Sequence, residues 1–107
     1  MFARRKIRKV EAAEDPQLRR GVLQTGDSAR KVAAMEKDLH LIEAALDADR
    51  IVISLDETVR ALFAHAAHAV VKLREVCWCN PDQPHEAVGS WIRHGAKWEY
   101  SRRLGAE

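Results

Sequence analysis

The sequence predicts an α/β fold, and three observations predict it. Three consecutive β-branched residues, Ile51-Val52-Ile53, follow directly on a long amphipathic helical pattern. A second strand-like run, Glu75 to Cys79, comes after a further helical stretch. A β-branched triplet without polar alternation is what a strand covered on both faces looks like, and a helix that feeds such a strand suggests α/β packing. With 107 residues the chain is one small domain. It divides into a basic N-terminal helical segment, 1–28, and a helix-strand-helix-strand-helix part, 29–107.

The first element is read over Met1 to Glu14. Ala3, Ile7 and Val10 share one helical face between Arg4, Arg5, Lys6, Arg8 and Lys9. Asp15-Pro16 then reads as an N-cap with proline at the first helical position. Gly21 and Thr25-Gly26-Asp27-Ser28 interrupt the pattern. From Ala29 onward Val32, Met35, Leu39, Ile42 and Leu46 recur at spacings of three and four, with Asp27 or Ser28 as cap. This helix should end between Asp47 and Arg50, where the Ile51 strand begins.

Ser54-Leu55-Asp56-Glu57 leads out of that strand into a helix expected over Glu57 to Ala69, with Val59, Leu62, Phe63 and Ala66 facing inward. In the Glu75 to Cys79 strand, Val76 and Trp78 should point one way and Cys77 and Cys79 the other. Asn80-Pro81-Asp82 ends it, because proline cannot continue a ladder. Val88, Trp91 and Ile92 form a helical patch, and Lys97 to Leu104 reads as a last helix. Only two strands are evident, and a two-stranded sheet is rarely stable without helical cover. Either the helices therefore do more than usual, or a further strand comes from a second copy, a partner chain or a missing N-terminal segment.

The charge balance excludes strong claims. Eighteen basic against sixteen acidic residues leave +2, too mild to imply nucleic-acid binding by itself. The cysteines, Cys77 and Cys79, offer no disulfide framework. No apolar run is long enough to span a bilayer and no secretory leader is evident, so no membrane association and a cytoplasmic location are expected.

Two acids are candidates for chemistry. Asp56 lies just beyond the C-terminal end of a buried strand, where ligands gather in open α/β sheets. Asp38 sits on the preceding helix beside its apolar stripe, a costly place for a carboxylate unless it is paired or on a metal. Two carboxylates at a strand end suit Mg²⁺ or Mn²⁺, which prefer oxygen ligands, and such an ion can activate water and stabilise phosphate charge. The alternative is that Asp38 is a helix-edge residue and Asp56 an N-cap. Ser54 lies beside Asp56 and could support the site by hydrogen bonding.

The stretches Lys37-Asp38-Leu39-His40-Leu41-Ile42-Glu43-Ala44-Ala45-Leu46 and Asp49-Arg50-Ile51-Val52-Ile53-Ser54-Leu55-Asp56-Glu57 resemble the late acidic motifs of PIN domains. The similarity continues through Trp78-Cys79-Asn80-Pro81, Trp91-Ile92, Gly95-Ala96, Glu99, Arg102 and Leu104-Gly105, and covers about Met35 to Gly105. The resemblance implies a three-layer α/β/α sandwich with a small parallel sheet. It also implies a metal-dependent ribonuclease acting on RNA by phosphodiester hydrolysis, often the toxin partnered by an antitoxin protein. Asp38 and Asp56 would then be catalytic metal ligands for Mg²⁺ or Mn²⁺. PIN domains also carry an Asp at the end of the first strand and a Glu on an early helix. No apolar strand followed by Asp precedes Asp38, and no motif supports Glu11 or Glu14. The domain is thus expected to be a C-terminal portion, incomplete as a single chain or completed in a homo-oligomer.

Other readings stand beside it. The chain could be a non-catalytic interaction or oligomerisation module, or a gene fragment without independent function. His65 and His68 share a helix face and could join Cys77 and Cys79 in a zinc site, against which stands simple strand packing by the cysteines. Arg4, Arg5, Lys6, Arg8 and Lys9 could touch phosphates or form a solvated face. Trp78, Trp91 and Trp98 could stack bases, although Trp78 and Trp91 suit the core and Trp98 is expected to be exposed.

Overall fold

The structure is a computed structural model in which residues 15–106 are described. The basic run Arg4, Arg5, Lys6, Arg8 and Lys9, the acids Glu11 and Glu14, and the helix expected over Met1 to Glu14 lie outside the described residues.

Chain chemistry at the helix starts follows the sequence closely. Helix α1, Pro16–Leu23, is capped by Asp15, whose carboxylate accepts from the Leu18 N–H at 3.1 Å. Helix α2, Ala29–Leu46, is capped by Ser28, which accepts from the Lys31 N–H. Its apolar stripe buries Met35, Leu39, Ile42 and Ala45. Gly26, in the turn before α2, is required by close approach: a Cβ there would stand 2.7 Å from Cγ2 of Val32.

Helix α2 turns into strand β1, Ile51–Ile53, through Arg50 in the left-handed conformation (φ 64°), with its N–H bonded to the Ala45 carbonyl at 2.7 Å. That conformation is costly for a residue with a Cβ; here it closes the helix and reverses the chain in four residues. Helix α3, Glu57–Ala66, follows, capped by Asp56. It is three residues shorter than the expected Glu57 to Ala69, because Ala67 to Ala69 form turns whose amides bond to Phe63, His65 and Ala66.

Strand β2, Cys77–Cys79, lies parallel to β1 in the register Ile51 to Cys77, Val52 to Trp78 and Ile53 to Cys79. α3 supplies the crossover that parallel neighbours need. The strand is shorter than the predicted Glu75 to Cys79, since a 3-10 turn, Val71–Glu75, occupies the approach. A further 3-10 turn, Pro84–Glu86, leads into helix α4, Val88–Arg93. The helix expected over Lys97 to Leu104 is instead a single 3-10 turn, Tyr100–Arg102. After it the chain runs back beside β2: Arg103 bridges antiparallel to Cys77, and the Leu104 N–H bonds to the Val76 carbonyl at 2.8 Å. Backbone pairing with β2 takes the place of helix in that segment.

Two apolar clusters hold the fold. On one face of the sheet Val52 and Trp78 join Leu18, Val22, Met35, Leu39, Ile42 and Phe63 from the helices, with the Phe63 and Trp78 rings 5.7 Å apart. On the other, Cys79 packs with Val88 and Trp91, with Ile51 beside them. This is the alternation of faces that a pleated strand imposes. Ile92 departs from expectation and is exposed, since α4 turns only Val88 and Trp91 inward. Among the described residues no helix is long and apolar enough to cross a membrane.

Candidate functional site

The carboxyl ends of β1 and β2 carry Ser54 and Asp56, two of the three expected site residues, together with several polar side chains that the sequence did not mark. Pairing continues one residue past β1, where the Ser54 N–H bonds to the Cys79 carbonyl at 3.0 Å. Ser54 then turns its hydroxyl to the Asp56 N–H at 3.1 Å. Ser54 thus orients the backbone of Asp56 and, among the described residues, makes no hydrogen bond to its carboxylate. Asp56 Oδ1 accepts from the Val59 N–H at 3.0 Å, completing the α3 cap. Its carboxylate is exposed, and Oδ2 carries no hydrogen bond among the described residues.

Asp38 lies in the interior of α2, half-buried, without a hydrogen bond or ion pair among the described residues. The resemblance implies an acid at the start of a helix; the helix instead starts nine residues before Asp38, at Ala29, because Ser28 caps it and the apolar stripe is continuous. Among the described residues no hydrogen bond joins Asp38 to Asp56 or to Ser54.

A polar network adjoins this edge. Asn80, 1% exposed, follows β2 directly. Its Nδ2 donates to Glu57 Oε2 at 2.6 Å and to the Leu55 carbonyl at 3.3 Å, while its Oδ1 accepts from the Asp82 N–H at 2.8 Å. Glu86 accepts from the Asn80 N–H at 2.9 Å and forms an ion pair with Arg60. Arg60 also reaches Glu57 at 3.1 Å and the Trp78 carbonyl at 3.1 Å. Burial by itself would raise the Glu86 pKa; its hydrogen bonds from Arg60 and the Asn80 N–H outweigh that and hold it below its ordinary value. Every polar atom of Asn80 is thereby used, which is the condition for burying it. In the sequence, Asn80-Pro81-Asp82 reads only as a strand stop. The three-residue spacing of Glu57 and Arg60 on one helix face was the available signal for an ion pair.

Beside the network is a cleft of about 250 Å³ lined by Arg60, His85, Glu86, Ser101 and Arg102. Arg102 lies over the Trp91 ring, 4.8 Å from its centre, and is paired with Glu99 at 2.7 Å.

The two-histidine, two-cysteine arrangement is not assembled. His65 and His68 are exposed, with ring centres 6.4 Å apart. Cys77 and Cys79 are fully buried in β2, and burial pushes both thiols up. The Cys77 thiol donates to the Glu99 carbonyl at 3.3 Å. Among the described residues no three His, Cys, Asp or Glu side chains form a group that could hold a metal ion. Trp78 is buried, Trp91 nearly so, and Trp98 is exposed.

No protein-family model, no curated protein and no solved structure matches the chain.

Proposed function

We propose that the chain is a PIN-like, metal-dependent ribonuclease domain with Asp38 and Asp56 as the acids of its metal centre. The observation that carries this reading is the position of Asp56, three residues past the end of a parallel strand in which only Val52 is buried, with one carboxylate oxygen unengaged. The donor chemistry fits Mg²⁺ or Mn²⁺, which are commonly held by one or two carboxylates and complete their shell with water and substrate phosphate. Apolar clusters on both faces of the sheet support a three-layer α/β/α arrangement.

The open edge of β1 supports completion of the sheet by a further strand. In a parallel pair the hydrogen bonds of alternate residues face opposite edges. With Arg50 and Ser54 bonded to β2, those of Ile51 and Ile53 face away from it. The Ile51 N–H is taken by the Asp49 carboxylate at 3.1 Å, and no other described strand pairs there. A strand added parallel on that edge would end about 5 Å from β1, and an acid following it would stand beside Asp56. Such a strand could come from another copy of the chain or from a segment outside residues 15–106.

In this reading Asp38 and Asp56 hold the ion, and Ser54 fixes the Asp56 backbone. A bound divalent ion supplies an activated water and charge stabilisation for phosphodiester hydrolysis of RNA. An antitoxin protein is the proposed partner.

The test is calorimetric titration of the purified chain with Mn²⁺, beside the Asp38→Ala/Asp56→Ala double variant, followed by an RNA cleavage assay. Binding and Mn²⁺-dependent cleavage that both vanish in the double variant are expected. A folded chain that binds no Mn²⁺, or a variant that cleaves as well as the parent, would sink the reading. A second reading, an interaction module, is favoured by the exposure of Ile53 (50%) and Leu55 (61%) along the open edge. It expects self-association in light scattering with no metal dependence.

A further inference from the structure

The opposite end of the sheet carries a surface that neither acid touches. Arg50 stands immediately before β1. The 3-10 turn Val71–Glu75 ends just before β2. The segment with Trp98, Tyr100 and Arg103 is drawn alongside by the bridge from Arg103 to Cys77. Together they border a groove of about 370 Å³, with Val71 and Arg74 on its wall. A neighbouring hollow of about 340 Å³ shares Arg74, Tyr100 and Arg103 and adds His68.

The groove is positively charged. Arg50, Arg74 and Arg103 face a single carboxylate, Glu75. None of the three guanidinium groups is ion-paired with a carboxylate among the described residues. This sets them apart from Arg19, Arg60 and Arg102, each of which has its own glutamate. Arg74 is fixed by donating to the Ala67 and His68 carbonyls at 2.8 and 3.1 Å. Neither contact neutralises its charge.

The groove is also aromatic, and its rings are held in place. Trp98, 39% exposed, donates its indole N–H to the Glu75 carbonyl at 2.7 Å. Tyr100 is 68% exposed. The Arg103 guanidinium lies over its ring, 4.0 Å from the centre, and Nη2 donates to the phenol oxygen. Arg103 Nε is buried without an acceptor among the described residues. Exposed rings fixed by hydrogen bonds lose little entropy when a flat ligand settles on them.

Free cations beside fixed, exposed aromatic rings match the two chemical parts of an unpaired polynucleotide: anionic phosphates and flat bases. We propose that this groove binds single-stranded nucleic acid, with a base stacked on Tyr100 against Trp98 and neighbouring phosphates held by Arg50, Arg74 and Arg103. Duplex is disfavoured because its base faces are already stacked. The site needs no metal and neither Asp38 nor Asp56, so it stands apart from the ribonuclease reading.

The test is fluorescence anisotropy of a short labelled oligouridylate with the full chain in EDTA, where no metal chemistry can contribute. The oligodeoxythymidylate, an RNA duplex and free uridine monophosphate are run in parallel. Tyr100→Phe, which keeps the stacking ring but loses the bond from Arg103, should bind more tightly than Tyr100→Ala, which should weaken binding about tenfold, the loss of one stacked base. Arg50→Gln should lower the slope of log affinity against log salt by about 0.7, the loss of one single-strand phosphate contact. Arg30→Gln, which removes an equal charge at the start of α2, should change neither. Circular dichroism checks each variant's fold; should Tyr100→Ala not fold, the Arg50→Gln salt slope carries the test. No binding by the parent, parent-like behaviour of both Tyr100→Ala and Arg50→Gln, or equal affinity for duplex would overturn the proposal. So would capture of an acidic aromatic peptide in place of the oligonucleotide. Tight binding of the mononucleotide alone would overturn it in favour of a nucleotide pocket.

Discussion

Glu43 of α2 receives two hydrogen bonds from Arg19 of α1, from Nε and Nη2, each at 2.7 Å. The same carboxylate accepts from the Asp15 N–H at 2.9 Å. Glu43 is 7% exposed, so one buried acid joins the start of α1 to the last third of α2. A two-point arginine–carboxylate contact fixes angle as well as distance, and here it sets how the short helix lies across the long one.

Removing that acid should therefore loosen α1. Glu43→Ala removes the carboxylate that receives both Arg19 bonds and the Asp15 N–H. The arginine side chain is 24% exposed, so water can take over part of its hydration, and the loss should be about 2 kcal/mol, below that for a fully buried pair. Urea denaturation measures it. A change within error of zero would mean that the pair does not hold the helices together.

Stability should fall in acid, and the sign follows from the same contact. The hydrogen bonds from Arg19 hold the Glu43 carboxyl below its ordinary value of 4.5, against the upward push of burial. Asp15 is lowered too, by the Leu18 N–H and by Lys72. A group depressed in the folded state stabilises above its unfolded pKa and stops doing so as pH drops through the folded one. The urea midpoint should hold steady above about pH 5 and decline below about pH 4.5. In Glu43→Gln that decline should be shallower; an unchanged slope would assign it to other carboxylates.

Asp56 can be separated into cap and ligand by two substitutions. Asparagine still offers an oxygen to the Val59 N–H, so Asp56→Asn should keep parental stability. Asp56→Ala should cost about 1 kcal/mol. Both should lose Mn²⁺ binding if the free oxygen is a ligand. Calorimetry beside thermal melts distinguishes the roles: loss of stability without loss of metal binding would leave Asp56 a cap alone.

The two thiols report on the sheet. Cys77 and Cys79 are fully buried with burial raising both pKa values. A thiol reagent at neutral pH should therefore react slowly with the native chain and fast in urea. Immediate modification of the native chain would mean that β2 is not covered on both faces.

The sequence by itself determined the helices and strands whose signals are local. Asp15-Pro16 and Ser28 set the starts of α1 and α2 because a cap needs only an oxygen within three residues. The Met35, Leu39 and Ile42 stripe marked the buried face of α2, and Ile51-Val52-Ile53 marked β1, because periodicity of apolar residues is imposed by the backbone itself. The position of Asp56 at a strand end was legible for the same reason. Tertiary structure decided what depends on residues far apart in the chain. The Glu43–Arg19 pair spans 24 residues, and the bonds from Asn80 and Glu86 to α3 span 23 and 26. No local pattern marks such partners. Lys97 to Leu104 reads as a helix in the sequence, yet Leu104 bonds to Val76 and Arg103 bridges to Cys77. Strand edges leave donors and acceptors that must be satisfied, and that demand, arising only when β2 is in place, overrode the local preference. The same pairing brought Trp98, Tyr100 and Arg103 to Arg50 and Arg74, so the charged aromatic groove exists only in the folded chain.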